Sequence, residues 1–151
     1  LSHILTMLGE FMGKNKNISV YNKGKNLNNY DYEPGFFIEF ENGSGNFLPL
    51  NNVPFSHIEM HIIGPKGRIG YVDQGNFNLR LVKKDLIFKG YKRLGGESKI
   101  WTSKMNKYQY FVYENIKNYF INNSELLCTG EKALRTSILT NEILKGIKYY
   151  E

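Results

Sequence analysis

Between Ile18 and Tyr91 the chain reads as a succession of short apolar segments joined by only a few residues each, and this brevity constrains the fold more than any other feature. Parallel neighbours need a crossover of a dozen or more residues, whereas antiparallel strands can be joined by two. Residues 36–41 place Phe36, Ile38 and Phe40 on one face and Phe37, Glu39 and Glu41 on the other, the period of a strand. Asn42-Gly43 predicts a hairpin turn, with residues 45–50 returning. Segments 55–63 and 68–73 flank Gly64-Pro65-Lys66-Gly67, which reads as a second tight turn. Segments 76–82 and 85–91 follow, divided at Lys83-Lys84, and 18–21 forms a short first strand ahead of a polar loop over 22–35. The pattern is an antiparallel meander of about six or seven strands.

Helices lie at the two ends. Ile4, Leu5, Met7, Leu8, Phe11 and Met12 belong to a helix that stops at Gly13. Asn106, with Gln109 three residues on, predicts the capped start of a second helix whose Tyr108, Phe111, Val112, Ile116 and Tyr119 recur at helical spacing, ending at Asn122-Asn123. Thr129 is the expected N-cap of the last helix, with Glu131 in its first turn and Lys145 and Lys148 near its end, as the helix dipole favours. Its Ala133, Leu139, Ile143, Leu144 and Ile147 share one broad face, while Leu134 and Ile138 fall on the opposite margin and ask for cover on a second side. Strands grouped first and helices last predict an α+β fold: a single, mostly antiparallel sheet of about six strands with two or three helices packed on one face, the aromatic stripes forming core. The other sheet face then needs a partner, and a homo-oligomer through that face is expected. The chain opens at Leu1-Ser2-His3 inside a helix, so residues 1–151 read as one domain of a larger protein.

Composition narrows the partners. Hydrophobic residues make up 41% and charged residues 23%, the balance of a folded domain rather than a disordered one. No apolar run approaches the roughly 20 residues that span a bilayer, so no membrane partner is expected. The lone Cys128 excludes an intrachain disulfide framework and fits a reducing, cytoplasmic setting. A net charge of +6 raises nucleic acid, and Lys83 to Arg93 is the densest basic stretch, interleaved with Phe88 and Tyr91. Lysines also blunt sheet edges, and no nucleic-acid-binding motif accompanies them, so no nucleic-acid partner is expected.

Three motifs invite chemistry. His57, Glu59 and His61 alternate along one expected strand, as metal ligands could. At the rise of a strand the two histidine Cα atoms lie ~13 Å apart, too far to close on one ion, and a polar sheet face is the better reading, with no metal expected. Gly64-Pro65-Lys66-Gly67-Arg68 lacks the strand–GxxxxGK[ST]–helix setting of a phosphate loop. No GxGxxG stands anywhere, so no cofactor-binding residue is assigned within this chain.

The order His3, Leu8, Phe11, Gly13 resembles the helix that opens the C-terminal domain of the Gfo/Idh/MocA family of NAD(P)-dependent oxidoreductases. Residues 58–71, with their Gly-x-x-Gly turn, are similar to a hairpin of that domain, and Thr129-Gly130-Glu131 followed by residues 138–147 resembles its closing helix. The resemblance spans nearly the whole chain and implies the α+β half of such an enzyme, with a Rossmann domain elsewhere binding NAD or NADP. It implies oxidation or reduction of a hydroxyl carbon on a sugar, inositol or nucleotide sugar, with His3 as the catalytic acid–base. Two departures stand beside it: Thr6 occupies a position where many relatives carry Asp, and an acidic residue often found four positions before the histidine would precede Leu1. The alternative is a non-catalytic binding or oligomerisation module of the same fold.

Overall fold

The computed structural model describes residues 2–24, 32–50, 53, 55, 57–73 and 75–147. Part of the expected loop over 22–35, Ser56 of the expected strand over 55–63, and Lys148 lie outside these residues. In order, the elements are helix α1 (Ser2–Met12), strands β1 (Asn15–Asn22), β2 (Gly35–Phe40), β3 (Gly43–Phe47), β4 (Met60–Gly64), β5 (Gly67–Val72), β6 (Asn76–Lys84) and β7 (Lys92–Trp101), a 3-10 turn (Met105–Lys107), and helices α2 (Tyr108–Asn122) and α3 (Gly130–Ile147). The strands do not form the single sheet of about six that the sequence predicts. They form two separate antiparallel sheets, one ordered β1-β2-β3 and one ordered β4-β5-β6-β7. The division has a topological cause: β3 and β4 are joined by residues 48–59 rather than by a tight turn, and nothing in strand periodicity fixes which strands pair across a long connection.

The chain accordingly makes two compact units, residues 1–54 with 126–151, and residues 55–125. The first holds α1, α3 and the three-stranded sheet. Its alternation is as read: Phe36, Ile38 and Phe40 of β2 are buried, with Leu5 and Leu8 of α1 and Leu139, Ile143 and Ile147 of α3. Helix α3 lies against β1 so closely that a Cβ on Gly146 would stand 2.6 Å from Val20 Cγ2. The stripe on α3 is narrower than expected: Thr136 is buried in place of Ala133, and Leu134 and Ile138 are exposed rather than covered on a second side.

The β2–β3 hairpin turns one residue earlier than its Asn-Gly signal indicates. Phe40 pairs with Gly43, so Glu41 and Asn42 form the turn and Gly43 opens the returning strand. The cause lies in α1, whose end holds that turn: Asn42 N donates to Met12 O (3.0 Å), Glu41 N donates to Lys14 O (3.0 Å), and the Glu41 carboxylate accepts from Lys14 N (3.1 Å). Gly13, at φ 79°, supplies the left-handed residue that ends α1, its N–H returning to Gly9 O at 3.1 Å.

The second unit holds β4–β7 and α2. Gly64 pairs with Gly67, so Pro65-Lys66 is the tight turn the sequence predicts. Residues 85–91 are not a strand but the tip of the β6–β7 hairpin. The Asp85 carboxylate captures the amides of Ile87 (2.8 Å) and Phe88 (3.0 Å), Asp85 N donates to Tyr91 O (2.9 Å), and Gly90 takes φ 90°. The Phe88 and Ile87 amides hold the Asp85 carboxyl below its ordinary pKa, with Arg93 adding to the effect. Helix α2 is entered through the 3-10 turn, with no side-chain cap, so Asn106 does not play its predicted part; Asn123, left-handed at φ 54°, ends the helix where expected. No residue of α2 is buried, and its aromatic stripe is exposed surface rather than core. Among the described residues, every buried hydrophobic side chain belongs to the first unit.

Candidate functional site

His3 stands in the first turn of α1, exposed, with no hydrogen-bond or ion-pair partner among the described residues. Its helix is placed by Leu5 and Leu8, one turn apart on the buried side, and by two polar ties to α3. In the first, Thr6 Oγ1 lies 2.8 Å from Thr136 Oγ1 and 3.0 Å from Ser2 O, while Thr136 Oγ1 lies 3.1 Å from Lys132 O. Two hydroxyl protons serve three contacts. In either arrangement one hydroxyl donates to the other, which donates to the carbonyl one turn back along its own helix. In the second tie, one turn along both helices, Lys132 Nζ meets Glu10 Oε2 at 3.0 Å. The pairs run in opposite directions, Thr6 with Thr136 and Glu10 with Lys132, so α1 and α3 are antiparallel here.

The start of α3 is fixed as the sequence predicts. Thr129 Oγ1 accepts from Lys132 N at 3.3 Å, and Arg135 reaches back to Glu131 at 3.3 Å. Thr6, one turn from His3, has its hydroxyl engaged with α3 through Thr136. The cleft between these elements, lined by Thr6, Glu10, Phe40, Lys132, Arg135 and Thr136 among others, has a volume of about 20 Å³. That is room for about one water, far below the ~300–1,000 Å³ of a small-molecule site.

Thr136 is the member that sequence reading passed over, because a threonine within an apolar face looks like a lapse in the stripe. The spacing Lys132, Thr136, Thr140 was the available signal: one helix face, with Thr140 Oγ1 donating to Thr136 O at 2.9 Å. Thr136→Val keeps the shape and removes the hydroxyl, leaving Thr6 its own carbonyl alone. It is expected to lower stability by about 1 kcal/mol, read from urea unfolding of the variant beside the parent sequence. No change would mean the hydroxyl pair contributes nothing net.

In the other unit, Glu59 gathers both histidines of the His57–Glu59–His61 motif. His61 Nε2 lies 2.8 Å from one carboxylate oxygen and His57 Nε2 lies 3.5 Å from the other. Only His61 of the three belongs to a strand, since β4 begins at Met60. Both imidazoles turn the same nitrogen to one carboxylate, and among the described residues no group of three or more His, Cys, Asp or Glu is arranged to hold a metal ion. The passage from β7 into the 3-10 turn and α2 is Thr102-Ser103-Lys104, without the glycines that let a backbone approach a pyrophosphate.

No protein-family model matches the chain, and no curated protein matches it. Among solved structures it is similar to "putative oxidoreductase yvaA from Bacillus subtilis", with a TM-score of 0.63 at 12% identity over 99% of this chain. The chain spans about half of that structure's length, 49%. At that identity the likeness speaks to fold alone: the chain is folded like about half of that structure.

Proposed function

We propose that the chain is the C-terminal, substrate-binding and assembly domain of an NAD(P)-dependent oxidoreductase of the Gfo/Idh/MocA type, acting on a hydroxyl of a sugar, inositol or nucleotide sugar. The observation that supports this reading is the fold likeness, over 99% of this chain, to half of the putative oxidoreductase yvaA. His3 adds to it, standing exposed on the first helical turn that the sequence resemblance matches to an acid–base histidine. In this reading NAD or NADP is held by a Rossmann domain outside the chain and supplies the hydride acceptor or donor. This chain's part is the proton: neutral His3 accepts it from the substrate hydroxyl in oxidation, and its imidazolium returns it in reduction.

A second reading, a non-catalytic module of the same fold, draws on Thr6, whose hydroxyl is occupied by Thr136. The two readings separate in one experiment. The parent protein, incubated with NAD+ or NADP+ and a panel of sugars and inositols, forms reduced cofactor with at least one substrate if the first holds. Reduction of neither cofactor across the panel favours the second.

Assembly in this reading would use the apolar face of the four-stranded sheet, where Tyr71 pairs with Phe77 and Phe77 with Trp101, and Ile69, Leu81 and Trp101 are substantially exposed. A dimer or larger species is expected by light scattering at high micromolar concentration; a monomer mass would end this assignment.

A further inference from the structure

The tip of the β6–β7 hairpin carries four large apolar side chains in near-full solvent contact: Leu86 is 87% exposed, Ile87 83%, Phe88 64% and Tyr91 72%. Asp85 spends its carboxylate on the Ile87 and Phe88 amides, and Tyr91 N returns to Phe88 O at 3.2 Å, so the apolar side chains are held outward on a closed turn. Beneath them stands a basic collar. Lys83 faces Arg93 and Lys84 faces Lys92 in register, with Lys89 on the tip itself, and all five are exposed. Like charges directly opposite across an antiparallel pair repel. Asp85, turned into the loop, is the one acidic residue in the stretch from Lys83 to Arg93.

We infer that this hairpin tip docks on a membrane surface bearing anionic headgroups, with Leu86, Ile87, Phe88 and Tyr91 entering the interface and the five basic side chains meeting phosphate and carboxylate groups above it. Charge selects the occupant. A second copy of the chain, at net +6, would set two basic collars against each other, whereas an anionic lipid surface relieves both cross-strand repulsions at once. The apolar chemistry separates lipid from nucleic acid. Bases stack on aromatic faces, yet the two most exposed side chains at the tip are aliphatic, and Phe88 and Tyr91 stand edge to face, 6.4 Å between centroids. Aliphatic side chains gain by leaving water for the acyl boundary. Such a contact is peripheral. Among the described residues no helix is long and apolar enough to cross a membrane, and none is needed.

The test is vesicle flotation of the 151-residue chain with phosphatidylcholine alone and with phosphatidylcholine containing phosphatidylserine. Binding is expected with the mixed vesicles, falling at least roughly tenfold without phosphatidylserine or at high salt. Leu86→Ser with Ile87→Ser should lower it at least roughly tenfold again with the collar intact. Both positions are exposed, so the fold is expected to survive, and circular dichroism verifies this. Lys84→Gln with Lys92→Gln supplies an independent arm, weakening binding to the mixed vesicles alone. Absence of flotation, or flotation unchanged by the Leu86/Ile87 pair, overturns the inference. So does a self-associated mass that the same pair dissolves, which would make the tip a subunit contact, or tighter binding to single-stranded RNA than to vesicles. None of these readouts involves hydride transfer, so the outcome is independent of the oxidoreductase reading.

Discussion

If the proposed function holds, replacing His3 by alanine in the parent protein is expected to lower turnover on a polyol substrate by roughly 10²–10⁴-fold, with little change in cofactor affinity. The size follows from losing a positioned proton acceptor, and the surroundings of His3 make the result interpretable. The side chain is exposed and has no partner among the described residues, so its removal should move stability by no more than about 0.5 kcal/mol. A lost rate therefore cannot be charged to a lost fold. Steady-state kinetics beside a cofactor titration provides the measurement. Turnover equal to that of the natural sequence removes His3 from the mechanism, and loss of cofactor binding in the variant would mean that it acts on binding rather than on proton transfer.

Truncating Ile143 should have the largest effect on the fold itself. Its side chain is fully enclosed, 0% exposed, among residues that the first unit draws from both ends of the chain. Ile143→Ala removes three carbons there and is expected to cost about 2–5 kcal/mol, a large share of the ~5–15 kcal/mol that holds a typical domain together. Two probes divide the outcome. Trp101, the single tryptophan, lies in the second unit, while helical circular dichroism draws more on α1 and α3 of the first unit than on α2 of the second. A fall in the dichroism midpoint with little movement of Trp101 fluorescence is expected. A cost below about 1 kcal/mol would contradict the assignment of Ile143 to the core.

What the sequence made legible follows from how local each cause is. Helix α1 and its end at Gly13, the alternation of Phe36, Ile38 and Phe40, and the Pro65-Lys66 turn rest on neighbours in the chain, and they stand as read. The β2–β3 turn slipped by one residue because its register is set by Met12 and Lys14, some 30 positions from the Asn-Gly signal. Residues 85–91 satisfy a strand's composition, yet one carboxylate capturing two amides outweighs it. The stripe on α2 is periodic, but periodicity marks which side chains share a face and is silent on whether anything covers it. The split into two sheets was illegible because strand periodicity does not say which strands pair across the long connection between β3 and β4. At the candidate site, His3 was found through resemblance, and its setting was not: Thr136 lies 130 positions from its partner Thr6.

The first unit is discontinuous: the second unit, residues 55–125, interrupts it between β3 and α3. During synthesis, Phe36 and Ile38 therefore leave the ribosome long before Leu139 and Ile143, the side chains that will enclose them. Through all that time β2 presents an apolar face with its cover not yet made. The interrupting unit has its strands joined in sequence, β4 to β7 each beside the next, so its pairings can form as it emerges. Closing the first unit then means joining segments across some 70 intervening residues, and prior ordering of that stretch shortens the flexible loop to be closed. On this order of emergence the core of the first unit closes last, and a nascent chain stalled before α3 is expected to be the species most exposed to aggregation.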